Sequence, residues 1–156
     1  MTNRIIVDYK PEHLEQIIDN LRSLERRQLA KVRMDITLWN NMIMSDTPSP
    51  KTFLADERPI AIGGISSLWS GVGEGWIIGS QDFKKHMFYI CRNVRKYIKK
   101  HVKLMKIVRL QAVISVNNQD VYNFATKFLG FTYEGYLHQY GMDGSDQLML
   151  AKWGKE

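Results

Sequence analysis

The sequence predicts one α/β domain: a mixed, twisted sheet of six to seven strands, with helices on both faces, in the order βααβββαβαββ. Short β-branched apolar runs, typical of buried strands, alternate with segments whose apolar residues recur every three or four positions, as in amphipathic helices. Gly, Pro and Asn residues separate these segments. At 156 residues, 44% apolar and 24% charged, the chain has the composition of a globular protein. We therefore expect residues 1–156 to form a single domain.

The N-terminal third is predicted to form one strand and two helices. Arg4–Tyr9 is the strand, and Pro11 opens the first helix because proline suits the first helical turn. Asp35 is the predicted N-cap of the second helix, which ends in the proline-containing segment Ser45–Pro50. The predicted apolar stripes are Leu14, Ile17, Ile18, Leu21, Leu24 and Leu29 in the first helix and Leu38, Trp39, Met42 and Ile43 in the second.

Three further strands are predicted at Thr52–Ala55, Ile60–Trp69 and Trp76–Gly79. The pair Gly63-Gly64 inside the second predicts a β-bulge or a close approach of backbone. Ser70–Gly75 is predicted to be a tight hairpin connection. A phosphate-binding loop is the alternative for these glycines, but they lie between two strands and not before a helix N-terminus, where amides converge on an anion.

A long basic helix is predicted to begin at Ser80–Asp82, with Ser80 or Asp82 as its N-cap and Met87, Cys91, Val94, Ile98, Val102 and Met105 as its inner stripe. Lys84–Lys106 contains nine cations and no Asp or Glu. Since the whole chain has a net charge of +6, the remaining residues carry −3. Such a helix favours an anionic partner, whether a nucleotide cofactor, nucleic acid or an acidic protein surface. A solvated helix face is the alternative.

The C-terminal segment is predicted to form strand, Asn-rich turn, helix and two strands. The strands are Ile107–Val116, a second beginning at Phe131 that includes Tyr133 and Tyr136, and Leu148–Trp153 after a turn at Gly141–Ser145. The helix carries Val121, Phe124, Ala125, Phe128 and Leu129 on one face. Gly130 ends it, because glycine adopts the left-handed cap conformation at little steric cost.

This segment resembles the GNAT N-acetyltransferase superfamily, in which a helix that closes with a Gly-Phe pair leads into the sixth strand. The matching residues are Asn117 or Asn118, Ala125, Gly130, Phe131 and the pair Glu134-Gly135. The resemblance covers the whole chain in element order. It implies the GNAT acyl-CoA N-acyltransferase fold.

The resemblance also implies acetyl-CoA as the cofactor, bound where the fourth and fifth strands splay apart; no other cofactor is expected. The positions that match its contacts are Trp76, Ile77 and Ile78 on the fourth strand, Lys84 and Lys85 at the helix start, and Asn117 and Asn118 after the fifth strand. The family's glycine loop matches Asp82–Phe88, which contains no glycine. Lys84 and Lys85 could instead attract an anion by charge. Asn117 and Asn118 could equally act as turn or capping residues.

The family's catalytic positions are only partly matched. The usual acid, a tyrosine four residues before the glycine, corresponds to Thr126, whose hydroxyl is too weak an acid to protonate a thiolate. Tyr122, one turn earlier, is a substitute candidate for the acid, although packing by its ring is the favoured interpretation. Glu74 is the candidate base, with a solvated turn residue as the favoured alternative. His86, beside two lysines, is predicted to be a neutral surface residue.

A narrower resemblance concerns the small GNAT-like internal virion proteins of short-tailed phages. It is carried by Pro59–Gly64, the triplet Ser80–Asp82, and the basic helix that follows. It implies a non-catalytic component of the virion or of infection, with virion or host proteins as partners and DNA or another polyanion bound at Lys84–Lys106. The alternative is an acetyl-CoA-dependent N-acetyltransferase acting on an amine or a protein.

Composition excludes several other classes. Cys91 is the only cysteine, so no internal disulfide or cysteine-based zinc cluster can form, and we expect it to be a small core residue. The four histidines lie on different predicted elements, and no metal site is predicted. The sequence contains no apolar run of 18 residues, so no membrane span is expected. The expected location is the cytoplasm, namely the host cytoplasm or the virion if the protein comes from a phage.

Overall fold

The computed structural model describes residues 1–21, 36–141 and 143–154. The strands are β1 Arg4–Asp8, β2 Lys51–Ala55, β3 Arg58–Trp69, β4 Val72–Gly79, β5 Arg109–Ser115, β6 Thr132–Leu137 and β7 Gln147–Trp153. The helices are α1 Pro11–Asp19, α2 Ile36–Asp46, α3 Met87–Leu104 and α4 Gln119–Asn123, with a 3-10 turn at Lys84–His86 and a π-helical turn at Phe124–Phe128. This is the predicted element order, and the α/β fold class is confirmed.

The strands form one seven-stranded sheet in the order β1-β2-β3-β4-β5-β7-β6. β4 and β5 pair in parallel, with Val72 opposite Arg109 and Glu74 opposite Gln111. β5 and β7 pair antiparallel from Arg109 opposite Trp153 to Ser115 opposite Gln147. The sheet is therefore mixed, as the sequence predicts.

The chain divides into two compact units. The first comprises Met1–Ser66 and Trp76–Ile90, and the second comprises Ser67–Gly75 and Cys91–Glu156. The core of the first includes Tyr9, Leu14, Ile17, Leu21, Ile43 and Ile62. The second buries Leu110, Phe124 and Leu150 almost completely. The expectation of one domain stays a prediction.

The glycine-rich connection is shorter than predicted. β4 begins at Val72, so the hairpin turn is confined to Ser70 and Gly71, and Gly71 has the positive φ of +82° that the turn requires. The prediction that Glu74 is a turn residue is wrong, because Glu74 lies inside β4. The close approach of backbone predicted at the glycine pair is confirmed at Gly63, where a β-carbon would lie 2.9 Å from the Trp76 carbonyl oxygen. A β-carbon on Gly64 would clash with the Thr47 side chain at Cγ2.

Two predicted helices begin or continue differently in the structure. The basic helix α3 begins at Met87, and the residues before it form i to i+3 turns in place of a helix capped by Ser80 or Asp82. The last helix changes from α to π geometry at Phe124. It ends at Gly130, which has φ +78°, as predicted.

The predicted apolar stripes are confirmed in α1 and α3. In α2, Ile43 is buried, but Met42 is 42% exposed, so the prediction of Met42 as a buried stripe residue is wrong. In α1, Leu14 and Ile17 are fully buried, whereas Leu21 is buried beyond the end of the helix and forms a bridge to Ser80. Leu24, Leu29 and Asp35 lie outside the described residues. In α3, Cys91 is buried, as predicted, and its burial raises the pKa of the thiol.

Candidate functional site

The segment that leads into the cationic helix is held by its own hydrogen bonds. Ser80 is fully buried, and its Oγ accepts a hydrogen bond from the Asp82 amide at 3.1 Å. The Phe83 amide donates to the Ser80 carbonyl, and the His86 amide donates to the Phe83 carbonyl, both at 3.1 Å. The Asp82 carboxylate pairs with Arg58 at 2.6 Å. The amides of residues 82, 83 and 86 are therefore already bonded within this segment.

The Phe83 side chain occupies the interior of this turn. It is 3% exposed, and its ring packs directly on Gly79, the last residue of β4. A β-carbon on Gly79 would lie 2.7 Å from Phe83 Cδ2, a distance at which neighbouring atoms must shift. The ring and Gly79 therefore depend on each other sterically.

A pyrophosphate does not fit this segment in the way that the resemblance implies. A phosphate cradle needs converging backbone amides and a backbone that can approach the ligand closely. Here three amides are already bonded, Phe83 places a ring in the turn, and the Asp82 carboxylate adds negative charge. The residues at the helix start are thus not arranged to hold the phosphates of acetyl-CoA.

The predicted cation pair lies in the 3-10 turn. Lys84 and Lys85 are both exposed, and His86 is partly buried. Burial, together with the nearby Arg4 cation, lowers the pKa of His86 from its usual value. His86 is therefore biased toward its neutral form, in the direction that the sequence predicts.

On β4, Trp76 is anchored by a hydroxyl network in the first unit. Its Nε1 donates to Thr47 Oγ1 at 3.0 Å, and Thr47 Oγ1 lies 3.0 Å from Ser66 Oγ. Trp76, Ile77 and Ile78 are all partly buried. The indole therefore has a packing and hydrogen-bonding role of its own.

Glu74 belongs to a polar network in the second unit. Gln111 is buried, and its Nε2 donates to Glu74 Oε1 at 3.4 Å. Gln111 Oε1 accepts a hydrogen bond from Arg109 Nε at 3.2 Å. Arg109 also donates to both carboxylate oxygens of Glu134, at 2.9 and 2.7 Å. These hydrogen bonds lower the pKa of Glu134 and raise the pKa of Arg109.

Glu74 lies on the strand β4 and not in a turn, and this network holds its carboxylate in position. The partly buried carboxylate has an orienting amide on the neighbouring strand β5. A carboxylate held in this way can accept a proton from an amine that reaches it. The arrangement therefore keeps Glu74 as the candidate base.

The other polar candidates of the second unit have structural roles. Asn117 is exposed, whereas Asn118 is buried and its side chain accepts from the Val121 amide at 3.4 Å, as an N-cap of α4. Thr126, at the position of the family's tyrosine acid, donates its hydroxyl to the Tyr122 carbonyl at 2.8 Å. Tyr122 is partly buried. Capping thus accounts for Asn118, as the sequence-based alternative allows.

The cationic residues of α3 lie on its exposed side. Arg92, Lys96, Lys99 and Lys103 follow one another at spacings of four, three and four residues, which places them on one face of the helix. All four are exposed, as are Lys84, Lys85, Arg95, Lys100 and Lys106. Arg92, Lys96, Lys99 and Lys103 are called the cationic face below.

The predicted site residues divide between the two units. The first unit holds Trp76, Ile77, Ile78, Lys84 and Lys85, and the second holds Glu74, Asn117, Asn118 and Tyr122. In the described ranges, no three His, Cys, Asp or Glu residues are grouped to bind a metal ion. Nor does any helix among these residues have the length and apolarity needed to cross a membrane.

Sequence reasoning missed the partners that surround Glu74 and a cluster of cations near the end of β7. Gln111 and Arg109 lie on a strand predicted as largely buried, and only the pairing of β4 with β5 brings them to Glu74. Lys152 interrupts the apolar strand Leu148–Trp153, and this was its only signal in the sequence.

Several solved structures with similar folds are acetyltransferases. Ard1 from Thermoplasma volcanium matches with a TM-score of 0.76 and 12% identity, covering 98% of this chain and 99% of that one. RimL, a ribosomal L7/L12 alpha-N-protein acetyltransferase in complex with coenzyme A, matches with a TM-score of 0.73 and 11% identity, covering 96% and 93%. A GNAT-family acetyltransferase from Bacillus anthracis matches with a TM-score of 0.68 and 13% identity, covering 96% and 94%.

The chain therefore has the GNAT fold. No protein-family model matches the sequence, and no curated protein matches it either.

Proposed function

We propose that this GNAT-fold protein is a binding component that attaches to a polyanion through its cationic face and does not carry out acyl transfer. The observation that carries the proposal is the turn before α3, where the Phe83 ring and the Asp82–Arg58 ion pair replace a phosphate cradle. The segment contains no glycine, its amides at residues 82, 83 and 86 are already bonded, and the Phe83 ring points inward. All three features act against tight binding of a pyrophosphate.

The cationic face supports the part of the proposal that concerns binding of a polyanion. Its four residues lie within the twelve helical positions from Arg92 to Lys103, which extend over about 16 Å at the usual helical rise. Exposed lysines and arginines in such a row match the regular charges of a nucleic-acid backbone or of an acidic protein segment. Binding of this kind needs no deep pocket.

The first test is isothermal titration of the purified protein with acetyl-CoA and with CoA, at low and at moderate salt. We expect no heat of binding at about millimolar ligand, which corresponds to a binding free energy weaker than about −4 kcal/mol. Micromolar binding that weakens in a Lys84→Glu/Lys85→Glu variant would overturn the proposal. Lys127→Gln, which removes an exposed cation of the π-helical turn, is the matched control.

The second test is direct binding to two polyanions, a short DNA duplex and poly-L-glutamate. The proposal expects at least one of them to bind, with an affinity that falls as salt is added. If the duplex alone binds, nucleic acid is the partner; if poly-L-glutamate alone binds, an acidic protein is. Failure of both would remove the proposal.

Acyl transfer is a second candidate, favoured by the position of Glu74. Its carboxylate lies on β4 and accepts a hydrogen bond from Gln111, which orients it as a base for an acceptor amine would require. Two of the structural neighbours named above, RimL and the protein from Bacillus anthracis, are acetyltransferases. If the titration detects acetyl-CoA, turnover by Glu74→Gln is the next measurement, and a loss of about a hundredfold or more would support Glu74 as the base.

We propose, as a more specific version of this binding function, that the protein is a component of a phage virion. This role is supported by the sequence resemblance at Pro59–Gly64, at Ser80–Asp82 and in the basic helix that follows. Mass spectrometry of purified particles that encode this chain would detect it in the particle if the role is correct. Its absence from particles, while it is abundant in the infected cell, would contradict the role.

A further inference from the structure

A groove of about 430 Å³ lies in the second unit, along the C-terminal half of α3. Its wall and floor are formed by the side chains of Ile98, Val102, Ile107, Leu110 and Leu129. Leu110, Ile107 and Leu129 are 2%, 8% and 8% exposed, so the floor is a continuation of the core. The volume is in the range of sites that bind small organic ligands, about 300–1,000 Å³.

Three cations also line the groove, namely Arg95, Lys99 and Lys152, and no carboxylate lies among its lining residues. Arg95 Nε donates to the Phe128 carbonyl at 2.6 Å, and Lys152 Nζ donates to the Leu129 carbonyl at 2.9 Å. The carbonyls of two consecutive residues, Phe128 and Leu129, thus hold the two cations Arg95 and Lys152.

The held cations retain donors for a ligand. An arginine has five N–H donors and an ammonium has three, and each of the two carbonyl bonds uses one. Burial, reinforced by the neighbouring Arg95, lowers the pKa of Lys152 from its usual value. An anion at this point would offset that repulsion and favour the charged form of Lys152.

Charge complementarity therefore identifies the occupant. A fully apolar ligand would leave the cations poorly compensated, and a small inorganic anion would leave the apolar floor unfilled. We propose that the groove binds an amphipathic carboxylate, with its carboxyl group between Arg95 and Lys152 and its hydrocarbon chain along Val102 and Leu110. Trp153, which lines the rim and is 56% exposed, would cover part of the chain.

The proposal rests on different side chains from the polyanion hypothesis, namely the apolar floor with Arg95 and Lys152, and shares only Lys99 with the cationic face. The probes are sodium octanoate, acetate and octyltrimethylammonium, titrated calorimetrically into the full chain. Acetate carries the charge without the tail, and octyltrimethylammonium carries the tail with the opposite charge. We expect octanoate to bind at least about tenfold more tightly than either, because only octanoate makes both the charged hydrogen bonds and the apolar contacts.

Two variants locate the site. Lys152→Met keeps an unbranched chain of similar length and removes the charge, and we expect it to weaken octanoate binding by about tenfold or more. Val102→Trp fills the groove and should abolish binding while thermal unfolding shows a folded protein. Lys100→Gln, which removes an exposed cation of the same helix that does not line the groove, should leave binding unchanged.

Three outcomes would overturn the proposal. The first is no detectable octanoate binding at about 10 mM, which is weaker than a useful site would show. The second is equal binding of octanoate and octyltrimethylammonium, which would mean that the cations do not select the ligand. The third is unchanged octanoate affinity in Lys152→Met, the variant least expected to disturb folding.

Discussion

The salt dependence of polyanion binding gives the proposed function a quantitative test. Each phosphate neutralised on duplex DNA contributes a slope of about −0.9 to the plot of log affinity against log salt. If all four residues of the cationic face contact phosphates, the slope is about −3.6. Raising the salt from about 50 to 200 mM should then weaken binding by about 150-fold.

Removing two cations from the cationic face halves the expected slope of log affinity against log salt. In Lys96→Gln/Lys99→Gln, two contacts remain, the slope becomes about −1.8, and the same salt increase should weaken binding by only about twelvefold. The assay is fluorescence anisotropy of a labelled duplex at several salt concentrations. Both residues are exposed, so thermal stability should change little.

The matched control removes two exposed cations that lie elsewhere. Lys10→Gln/Lys127→Gln lowers the net charge by the same amount, yet neither residue lies on α3. The control should keep the wild-type slope. Equal slopes in the two double variants would refute the reasoning, since net charge and not the cationic face would then govern binding.

Three other predictions concern single contacts. Gly64→Ala should lower the free energy of unfolding by about 1–3 kcal/mol, because the new methyl group meets Thr47 Cγ2. In urea titrations of the double variant, Thr47→Ser should recover part of that loss, since it removes this methyl group. Additive effects of the two substitutions on the free energy of unfolding would argue against the clash. Burial lowers the pKa of His13 in the folded protein. The contribution of this residue to the free energy of unfolding is therefore complete above the pKa of the unfolded chain, and it is lost as the pH falls through the folded-state pKa. The acid-induced loss of stability should therefore be smaller in His13→Gln, and an unchanged loss would exclude this histidine as a source. The Glu134 pKa, followed by carboxyl NMR, should rise toward its usual value in Arg109→Gln, and no rise would mean that the ion pair does not form in solution.

Much of the fold could be predicted because its signals are local. The alternation of strands and helices follows from periodicity, and Gly130 ends its helix because the cap needs a positive φ. Gly64 indicated a close approach before the neighbour was known, since only a residue without a side chain fits beside Thr47. In each case one residue type carries the constraint by itself.

The differences arise where partners distant in sequence decide. Glu74 was assigned to a turn because three glycines surround it, but strand pairing with β5 overrides that preference and places it beside Gln111. The π-helical turn is a different case, because its contacts are local and the periodicity of the apolar residues does not distinguish π from α geometry. There the Thr126 hydroxyl bonds to the Tyr122 carbonyl, and the Leu129 amide donates to Phe124, five residues earlier.

The positions that depart from the family's pattern are bonded and packed within their own units. Thr126 has an intrahelical acceptor, Asp82 has Arg58, and the Phe83 ring has the space that Gly79 provides. Replacing Phe83 with glycine would therefore leave a cavity and still keep the Asp82 carboxylate in place, so this change alone should destabilise the protein, by about 3–5 kcal/mol, without creating a phosphate site. A binding surface for CoA would need several coordinated changes, because the present residues already satisfy one another. This mutual satisfaction favours a turn that serves folding, and in the function proposed above recognition is carried by the exposed cations of α3.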